Sequence, residues 1–310
     1  MEKQQFKFAG ETNFYSGKVR DVYTINGDVL VMIASNRISA FDVILPRPIP
    51  YKGQVLNQIA AYMLNATKDI CSNWLMNVPA PNVSIGKKCI PFKIEMVVRG
   101  NLVGHAWRTY NSGKRILCGV EMPGDLKEND FFPSPVITPS TKAAAGHDED
   151  ISANGIIEQG LATENEWGIL CDYALKLFER GKSIAAEHGL ILADTKYEFG
   201  KIGDEIYLMD EVHTPDSSRY FYKDGFDERQ QTNERQKQLS KEFVREWLIA
   251  NNFMGKEGQT VPEMNEDWVD TISKRYIELY ETVIGRKFIP EELGDEEIYS
   301  RIVTALTTLQ

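Results

Sequence analysis

The segment formed by residues 192–200 constrains the fold more than any other part of this sequence. Within it, Asp194, Lys196 and Glu198 alternate with apolar or uncharged residues. Because successive side chains of a β-strand point to opposite faces, this period of two predicts a strand with three charges on one face. A protein that buries the reverse face of this strand in its core must present the three charges together on the other side of the sheet.

A second strand follows closely and ends in acids. Residues 205–212 have the composition of a strand that closes with Asp210 and Glu211, and the preceding residues 201–204 are typical of a turn. The resulting hairpin returns these acids towards Glu198, and Mg²⁺ prefers carboxylates together with water and substrate phosphates. The pattern predicts a metal–nucleotide site. A solvated strand face with ordinary ion pairs is the alternative interpretation.

Several short polar segments indicate anion binding. Gly17 and Lys18 enter a strand through a small turn that lets backbone N–H groups and an ammonium approach phosphates, although the sequence is neither a Walker P-loop nor GxGxxG. Other guanidinium and hydroxyl groups near strand ends belong to Arg37 and Ser39, to Arg99, and to Ser217 and Arg219. Each segment alone is more typical of a surface loop. Together they predict that several carboxylates or phosphates are held by charge-assisted hydrogen bonds.

The rest of the pattern predicts a mixed α and β chain. Asn26 and Gly27 stand between two apolar runs and favour a tight hairpin turn. Thr163 and Glu166 form a capping-box pattern at the start of a helix. The other expected elements are a helix at residues 53–67, a strand at 91–99, a long irregular loop at 120–155, a helix that ends near 189, and three helical stretches after 239.

The overall charge excludes one class of partner. Lys and Arg total 35 against 45 Asp and Glu, a formal net charge of -10, and such a diffuse negative field repels nucleic acid. The four scattered cysteines have no zinc-site spacing and are expected to be reduced thiols. The N-terminus lacks an apolar signal core and no apolar run approaches the roughly 20 residues of a membrane helix, so we expect a cytoplasmic protein without membrane contact.

Taken together, these segments resemble those of SAICAR synthetases. Residues 192–200 look like the second signature of that family in full, and residues 90–105 are similar to the first signature. The segments at residues 35–42 and 216–220 also fit the family. The resemblance spans residues 13–285, which is most of the chain.

Two places differ from the family or belong to one branch of it. Members commonly have Thr or Ala followed by Gly-Ser where this chain has Val103, Gly104 and His105. That serine usually contacts the imidazole nucleotide, and the resemblance leaves open whether His105 replaces it. The loop at residues 138–152 resembles that of the long-form enzymes, with a plainer run of alanines at 143–145, and its role is also open.

The resemblance implies a fold and a reaction. The fold is SAICAR synthase-like, a two-lobed α+β fold similar to protein kinases and ATP-grasp enzymes, with an antiparallel N-terminal sheet lobe over a larger α/β lobe with C-terminal helices. Residues 1–98 would form the ATP-binding lobe and residues 99–310 the substrate- and metal-binding lobe, with ATP in the cleft between them. The small-molecule substrates would be ATP, a carboxyaminoimidazole ribonucleotide and L-aspartate, joined through an acyl phosphate in purine biosynthesis. Nothing in the sequence indicates the oligomeric state.

The resemblance also implies roles for individual residues. Catalysis would depend on Asp194 and Lys196, which orient the reacting carboxylate and phosphate, and on the Mg²⁺ ligands Glu198 and Asp210. The groups around ATP would be Gly17, Lys18 and Arg20 at the triphosphate, and Lys93, Glu95 and Val97 at the adenine. The substrate-binding residues would be Arg37, Ser39, Arg99, His105, Asp148, Ser217 and Arg219.

Two other functions stay open at this stage. A small-molecule or protein kinase would use a similar lysine-bearing turn and acidic hairpin, but the chain has no HRD-type catalytic loop and no DFG motif. A non-catalytic nucleotide-binding module would be expected to have lost its metal ligands. Here Lys196, Glu198 and Asp210 are all present.

Overall fold

Two antiparallel sheets carry most of the strands of this protein. The computed structural model describes residues 6–142 and 148–309. Its strands are β1 (Glu11–Ser16), β2 (Arg20–Ile25), β3 (Val29–Ala34), β4 (Ser39–Ala40), β5 (Val43–Ile44), β6 (Leu75–Ala80), β7 (Val83–Lys87), β8 (Ile90–Asn101), β9 (Ile116–Leu117), β10 (Val120–Glu121), β11 (Phe131–Ile137), β12 (Ser140–Thr141), β13 (Leu190–Ile202), β14 (Glu205–Met209), β15 (Ser218–Tyr222) and β16 (Gln238–Leu239).

The helices lie mainly after the central strands. They are α1 (Lys52–Ala66), α2 (Gly104–Asn111), α3 (Ala153–Glu158), α4 (Glu164–Glu187), α5 (Phe226–Thr232), α6 (Glu242–Ala250), α7 (Glu266–Ile284) and α8 (Asp295–Thr308). The predicted α+β class is therefore confirmed, as are the three helical stretches after residue 239. In the part of the chain that the structure describes, no helix is both long and apolar enough to cross a membrane.

The first of two compact units contains the N-terminal sheet. It runs up to Tyr62 and also takes in residues 74–89 and the chain from Lys241 onward. Its five strands lie in the order β1-β2-β3-β7-β6, and helix α8 contributes to the same apolar core. The hairpin predicted at Asn26 and Gly27 is confirmed: both residues have positive φ, 50° and 90°, which matches the twist of the flanking strands.

The second unit contains the larger sheet. It consists of residues 63–73 and 90–240. The main path of its seven-stranded sheet is β11-β8-β13-β15-β16, with β12 added beside β8 and β14 beside β13. Helix α4 starts with the predicted capping box. The Thr163 hydroxyl accepts from the N–H of Glu166, and the Glu166 carboxylate accepts from the N–H of Thr163. Its apolar face is buried, including Leu170 and Leu177.

Some sequence-based expectations were wrong. The irregular loop expected at residues 120–155 contains β11, which pairs with β8. Pro133 and Pro135 hide this strand in the sequence, because proline is tolerated at the edge of a sheet and β11 is an edge strand. The expected loop at 216–220 becomes strand β15 from Ser218 onward. Strand β1 and helix α5 were not anticipated. The alanine run at 143–145 lies outside the described residues, and the functional boundary after residue 98 stays a prediction.

Candidate functional site

Two arginines flank a single aspartate in one row of the larger sheet. Asp194 on β13 lies opposite Arg99 on β8 and, across the other edge of its strand, opposite Arg219 on β15. Both guanidinium groups donate from Nη1 to the same Oδ2 of Asp194, at 2.8 Å from Arg99 and 2.5 Å from Arg219. Arg99 also donates from Nε to the Thr138 hydroxyl at 2.9 Å. The three predicted residues Asp194, Arg99 and Arg219 are thus brought together.

The charged side chains of this row are largely buried. The exposed fraction of the side chain is 7% for Arg99, 17% for Arg219 and 5% for Asp194. Burial lowers the pKa of Arg99, partly offset by Asp194, but a guanidinium remains charged at any pH a protein tolerates. Within this row two guanidinium groups share one carboxylate, and Asp150 also attracts Arg99. A bound phosphate or carboxylate would be a further partner for these guanidinium groups.

The start of helix α2 packs directly on one of these arginines. A Cβ on Gly104 would come within 2.4 Å of the Arg219 guanidinium, and Gly104 has a φ of 55°. Only glycine meets both conditions. The next residue, His105, contacts Asp150 across 2.7 Å between Nε2 and Oδ2, and both side chains are half-exposed. The predicted residue Asp148 is exposed in the segment that leads to Asp150.

The second cluster surrounds Lys196, two residues further along β13. Its ammonium donates to Glu95 Oε1 at 2.7 Å. Burial lowers the pKa of Lys196, but the attraction of Glu95, followed by that of Glu198 and Glu211, outweighs burial and raises the pKa above its ordinary value. Lys196 is therefore a permanent cation among carboxylates.

Glu198 lies at the centre of the predicted metal site. It pairs with Glu95 of β8 on one side and with Met209 of β14 on the other, and its Oε2 accepts from the Lys142 ammonium. Asp210 follows Met209 with a φ of 55°, so the strand alternation stops there. For a residue other than glycine such a conformation is uncommon, and residues of this kind concentrate at functional sites.

The donor chemistry of this region fits Mg²⁺. Among residues 6–142 and 148–309, no group of three or more His, Cys, Asp and Glu side chains is arranged to enclose a metal. Mg²⁺ does not need such a cage, because it is usually held by one or two carboxylates with water and substrate phosphates. The Lys142 ammonium at Glu198 shows that this carboxylate already attracts a cation. Glu198 and Asp210 remain the proposed ligands.

A buried histidine anchors the turn between β14 and β15. His213 is fully buried, and its Nε2 lies 2.6 Å from the hydroxyl of Tyr197, on the reverse face of β13. Its backbone carbonyl accepts from the Tyr220 hydroxyl at 2.8 Å, and its Nδ1 has no hydrogen-bond partner among the residues that the structure describes. Burial lowers the pKa of His213 to about 3, so the ring is neutral at physiological pH. Gly181 of α4 makes room for it.

Glu211 and the predicted substrate-binding residue Ser217 belong to the same turn. Glu211 is buried and its Oε2 accepts from the Thr214 hydroxyl at 2.8 Å. The Ser217 hydroxyl accepts from the N–H of Thr214 at 3.1 Å, so this predicted substrate-binding residue also stabilises the turn. The turn that carries Asp210 is thus fixed by its own side chains.

In the first unit, the predicted residues gather around the turn between β1 and β2. The N–H of Gly17 donates to the carbonyl of Arg20 at 2.7 Å, and the Lys18 ammonium pairs with Asp42 at 2.5 Å. Arg37 donates from Nη2 to the Gly17 carbonyl at 2.9 Å and to Asp21 at 2.8 Å. These contacts place Arg37 as a brace for the glycine–lysine turn.

Three further predicted residues occupy strands. Ser39 lies in the short strand β4 of the first unit. Lys93 and Val97 lie in β8, where their carbonyls accept from the N–H groups of Lys142 and Thr138 at 3.1 and 2.8 Å. The backbone of β8 on this side is therefore already engaged by residues 138–142.

Sequence reasoning missed four polar residues of the second unit. They are Thr138, Lys142, Asp150 and Thr214, which contact Arg99, Glu198, His105 and Glu211 respectively. All four lie in segments without hydrophobic period. Only the Thr-Pro-Ser-Thr-Lys run at residues 138–142, with its hydroxyls beside a cation, offered a signal.

Comparison with known proteins agrees with this geometry. The family model described as SAICAR synthetase matches residues 13–261. A phosphoribosylaminoimidazole-succinocarboxamide synthase from Cytophaga hutchinsonii is 60% identical over 308 residues, 99% of each chain. The protein of the same name from Bacteroides thetaiotaomicron is 58% identical over 310 residues, again 99% of each. A solved structure, SAICAR-synthase from Saccharomyces cerevisiae complexed with SAICAR, is 33% identical and has a TM-score of 0.77, covering 90% of this chain and 96% of that one.

Proposed function

The chain belongs to the SAICAR synthetase family, and we propose that it joins the carboxylate of 5-amino-1-(5-phosphoribosyl)imidazole-4-carboxylate to the amine of L-aspartate. ATP is consumed, and the products are SAICAR, ADP and phosphate. The relatives from Cytophaga and Bacteroides have the name of this enzyme, and this chain matches 99% of the length of each. The yeast neighbour is described as complexed with SAICAR. The reaction belongs to purine biosynthesis, and we expect it to take place in the cytoplasm.

One observation supports this function best. A cationic row at Asp194 and a carboxylate cluster at Glu198 lie on the same face of β13, four residues apart. At the usual rise per residue of a strand this separation is about 13 Å. One site suits an anionic substrate group and the other a cation with the phosphates that it binds, and Lys196 lies between them.

The chemistry requires such a pairing. A carboxylate is a poor acyl donor, because its oxygen is a poor leaving group, and transfer of the γ-phosphoryl group of ATP to it forms an acyl phosphate that an amine can attack. Positioning and charge stabilisation provide most of the catalysis in phosphoryl transfer. The protonated Lys196 offsets the negative charge that develops on the transferred group. Because its pKa is raised, Lys196 is unsuited to remove the proton from the aspartate amine.

The remaining assignments extend the proposal to the other residues. Arg99 and Arg219 hold the anionic groups of the ribonucleotide, with Ser217, His105 and Asp148 nearby in the second unit. Gly17, Lys18 and Arg20 approach the triphosphate, and Arg37 holds their turn in shape. We assign the adenine to Lys93, Glu95 and Val97, and a further substrate contact to Ser39.

Mg²⁺ is the cofactor that we propose for Glu198 and Asp210. When bound, it neutralises charge on the phosphates of ATP. The protein itself positions the two proposed ligands. The pairing of β13 with β14 holds Glu198, and Asp210, which has a left-handed backbone conformation, begins the turn that His213 anchors.

The deciding experiment measures ADP release and SAICAR formation together. Purified protein is incubated with Mg²⁺, ATP and the carboxyaminoimidazole ribonucleotide, with and without L-aspartate, and the product is followed by its absorbance. We expect ADP release to require both co-substrates, with one product formed per ATP. ADP release without aspartate and without a new amide would indicate a kinase instead. No release under any of these conditions would indicate a binding module.

A further inference from the structure

A lysine outside the proposed machinery contacts its central carboxylate. The Nζ of Lys142 donates to Oε2 of Glu198, the residue proposed as a metal ligand. The Glu198 side chain is 12% exposed and that of Lys142 is 43% exposed. The contact therefore joins a largely buried carboxylate to a partly exposed ammonium, and a metal ion that binds Glu198 has to approach the same carboxylate.

The backbone that presents this ammonium is anchored on the sheet. Ser140 and Thr141 pair with Glu95 and Ile94 of β8, and the N–H of Lys142 donates to the Lys93 carbonyl at 3.1 Å. Strand β8 in turn pairs with β13, where Glu198 lies opposite Glu95. The pairing of β12 with β8 and the hydrogen bond of the Lys142 N–H thus fix the backbone position of Lys142. Only its side chain has to move for the contact with Glu198 to break.

The charges of the cluster explain why a second cation is present. Glu95, Glu198 and Glu211 surround Lys196, which leaves the carboxylates in excess of that single lysine. Lys142 neutralises part of the excess. Oε2 of Glu198 cannot bind an ammonium and a divalent cation in the same place. A metal ion at the second oxygen of this carboxylate would still lie close enough to the ammonium for the two cations to repel each other. The ammonium and the metal ion therefore compete for Glu198.

We propose that Lys142 is a displaceable counter-cation: it occupies the proposed metal position at Glu198 in the empty enzyme and is expelled when a divalent cation binds. The proposal rests on the assignment of Glu198 as a metal ligand. Its consequence is that the ammonium competes with the ion. Removing the charge of Lys142 should therefore tighten the binding of the metal ion in the absence of nucleotide. The same change removes a positive side chain from the proposed ATP site.

The test uses Mn²⁺ as the probe, without nucleotide, and measures the free ion by electron paramagnetic resonance with the full-length protein. We expect Lys142→Met to bind Mn²⁺ roughly two- to fivefold more tightly than the parent protein, the effect of removing one partly exposed charge pair. Lys142→Arg keeps the charge and should bind Mn²⁺ as the parent does. Lys182→Met is a matched control, because Lys182 is 42% exposed and pairs with Glu179 on helix α4.

A further variant separates this proposal from the proposed function. Glu198→Gln should remove the Mn²⁺ binding that Lys142→Met strengthens. If Glu198→Gln binds Mn²⁺ as tightly as the parent protein does, both the metal assignment and the exchange are wrong. If Glu198→Gln abolishes binding but Lys142→Met binds Mn²⁺ as the parent does or more weakly, the metal assignment stands and the exchange is overturned.

Discussion

Gly181, in the middle of helix α4, lies directly against the imidazole of His213. A Cβ at Gly181 would come within 2.3 Å of His213 Cε1, closer than packed atoms approach. A glycine inside a helix usually costs stability, so its presence here has a packing reason. The helix, the buried histidine and the turn that begins at Asp210 are therefore joined at one contact.

This contact predicts opposite effects for two glycines of the same helix. Gly181→Ala should lower the free energy of unfolding by about 1–3 kcal/mol, because the new methyl group collides with a buried ring. Gly168→Ala, also in α4, has open space around its added Cβ and should raise the free energy by about 0.5–1 kcal/mol. Urea unfolding of the two variants measures both effects. Equal stability of the two would contradict the packing argument.

Lys196 should be essential because of its charge. Lys196→Met is expected to lower kcat by about 10²–10³-fold, the usual effect of removing one stabilising group from a developing charge. Lys196→Arg should recover part of the loss. SAICAR formation at saturating substrates measures this, with Lys176→Met, at a surface pair with Asp172, as control. A Lys196→Met variant with normal kcat would remove Lys196 from the mechanism.

The arginine row predicts a loss of substrate affinity. Arg219→Met should raise KM for the ribonucleotide by about 10–100-fold, because a hydrogen bond to a charged group contributes about 1.5–3 kcal/mol. KM for ATP should change little. Arg180→Gln is the control, since Arg180 also donates to an aspartate, Asp69, away from the row. Steady-state kinetics with each substrate varied in turn measures both KM values. An equal rise of KM for the ribonucleotide and for ATP would contradict the assignment of Arg219 to the ribonucleotide.

The metal assignment predicts a change in Mg²⁺ dependence. Glu198→Gln keeps the size of the side chain but removes its charge, and it should raise the Mg²⁺ concentration for half-maximal activity about tenfold or more. Glu205→Gln, on the other strand of the same hairpin, should leave that concentration unchanged, because Glu205 contacts Ser72 and Tyr207 instead. The assignment would be falsified if both variants had the Mg²⁺ dependence of the parent protein.

His213 predicts part of the acid sensitivity of the fold. Its pKa is about 3 in the folded protein and near 6.5 when unfolded, so the unfolded state binds the proton first as pH falls. The contribution to stability is complete above pH 6.5 and is lost between pH 6.5 and 3, at about 1.4 kcal/mol per pH unit. His213→Gln should flatten this part of the curve of unfolding free energy against pH. An unchanged slope between pH 6 and 4 would contradict the buried neutral imidazole.

Local patterns were sufficient for the central strand and its neighbours. The alternation along β13, the turn residues before β14 and the capping box of α4 are all short-range signals, and the structure contains each of them. Strand β11 was missed because an edge strand tolerates prolines that a local rule treats as breakers. Strand β15 was missed because it begins with Ser218 and Arg219, which are typical of a loop.

The partners within the site were not predictable from spacing. The alternation of β13 shows which residues share a face, but the register with β8 and β15 decides which residue lies opposite Asp194. Arg99 and Arg219 are 120 positions apart in the sequence, yet both meet that one carboxylate. The contact of Lys142 with Glu198 depends in the same way on the pairing of β12 with β8.

The Asp194 row and the Glu198 cluster lie on the same strand, and this placement limits how the sequence can diverge in evolution. Replacing Tyr197 or Phe199 on the reverse face alters packing and leaves the distance between the clusters as it was. Inserting or deleting a single residue between Asp194 and Glu198 would instead turn one cluster to the opposite side of the sheet, because the period of a strand is two. Divergence in this stretch should therefore proceed by substitution alone, with its length held fixed.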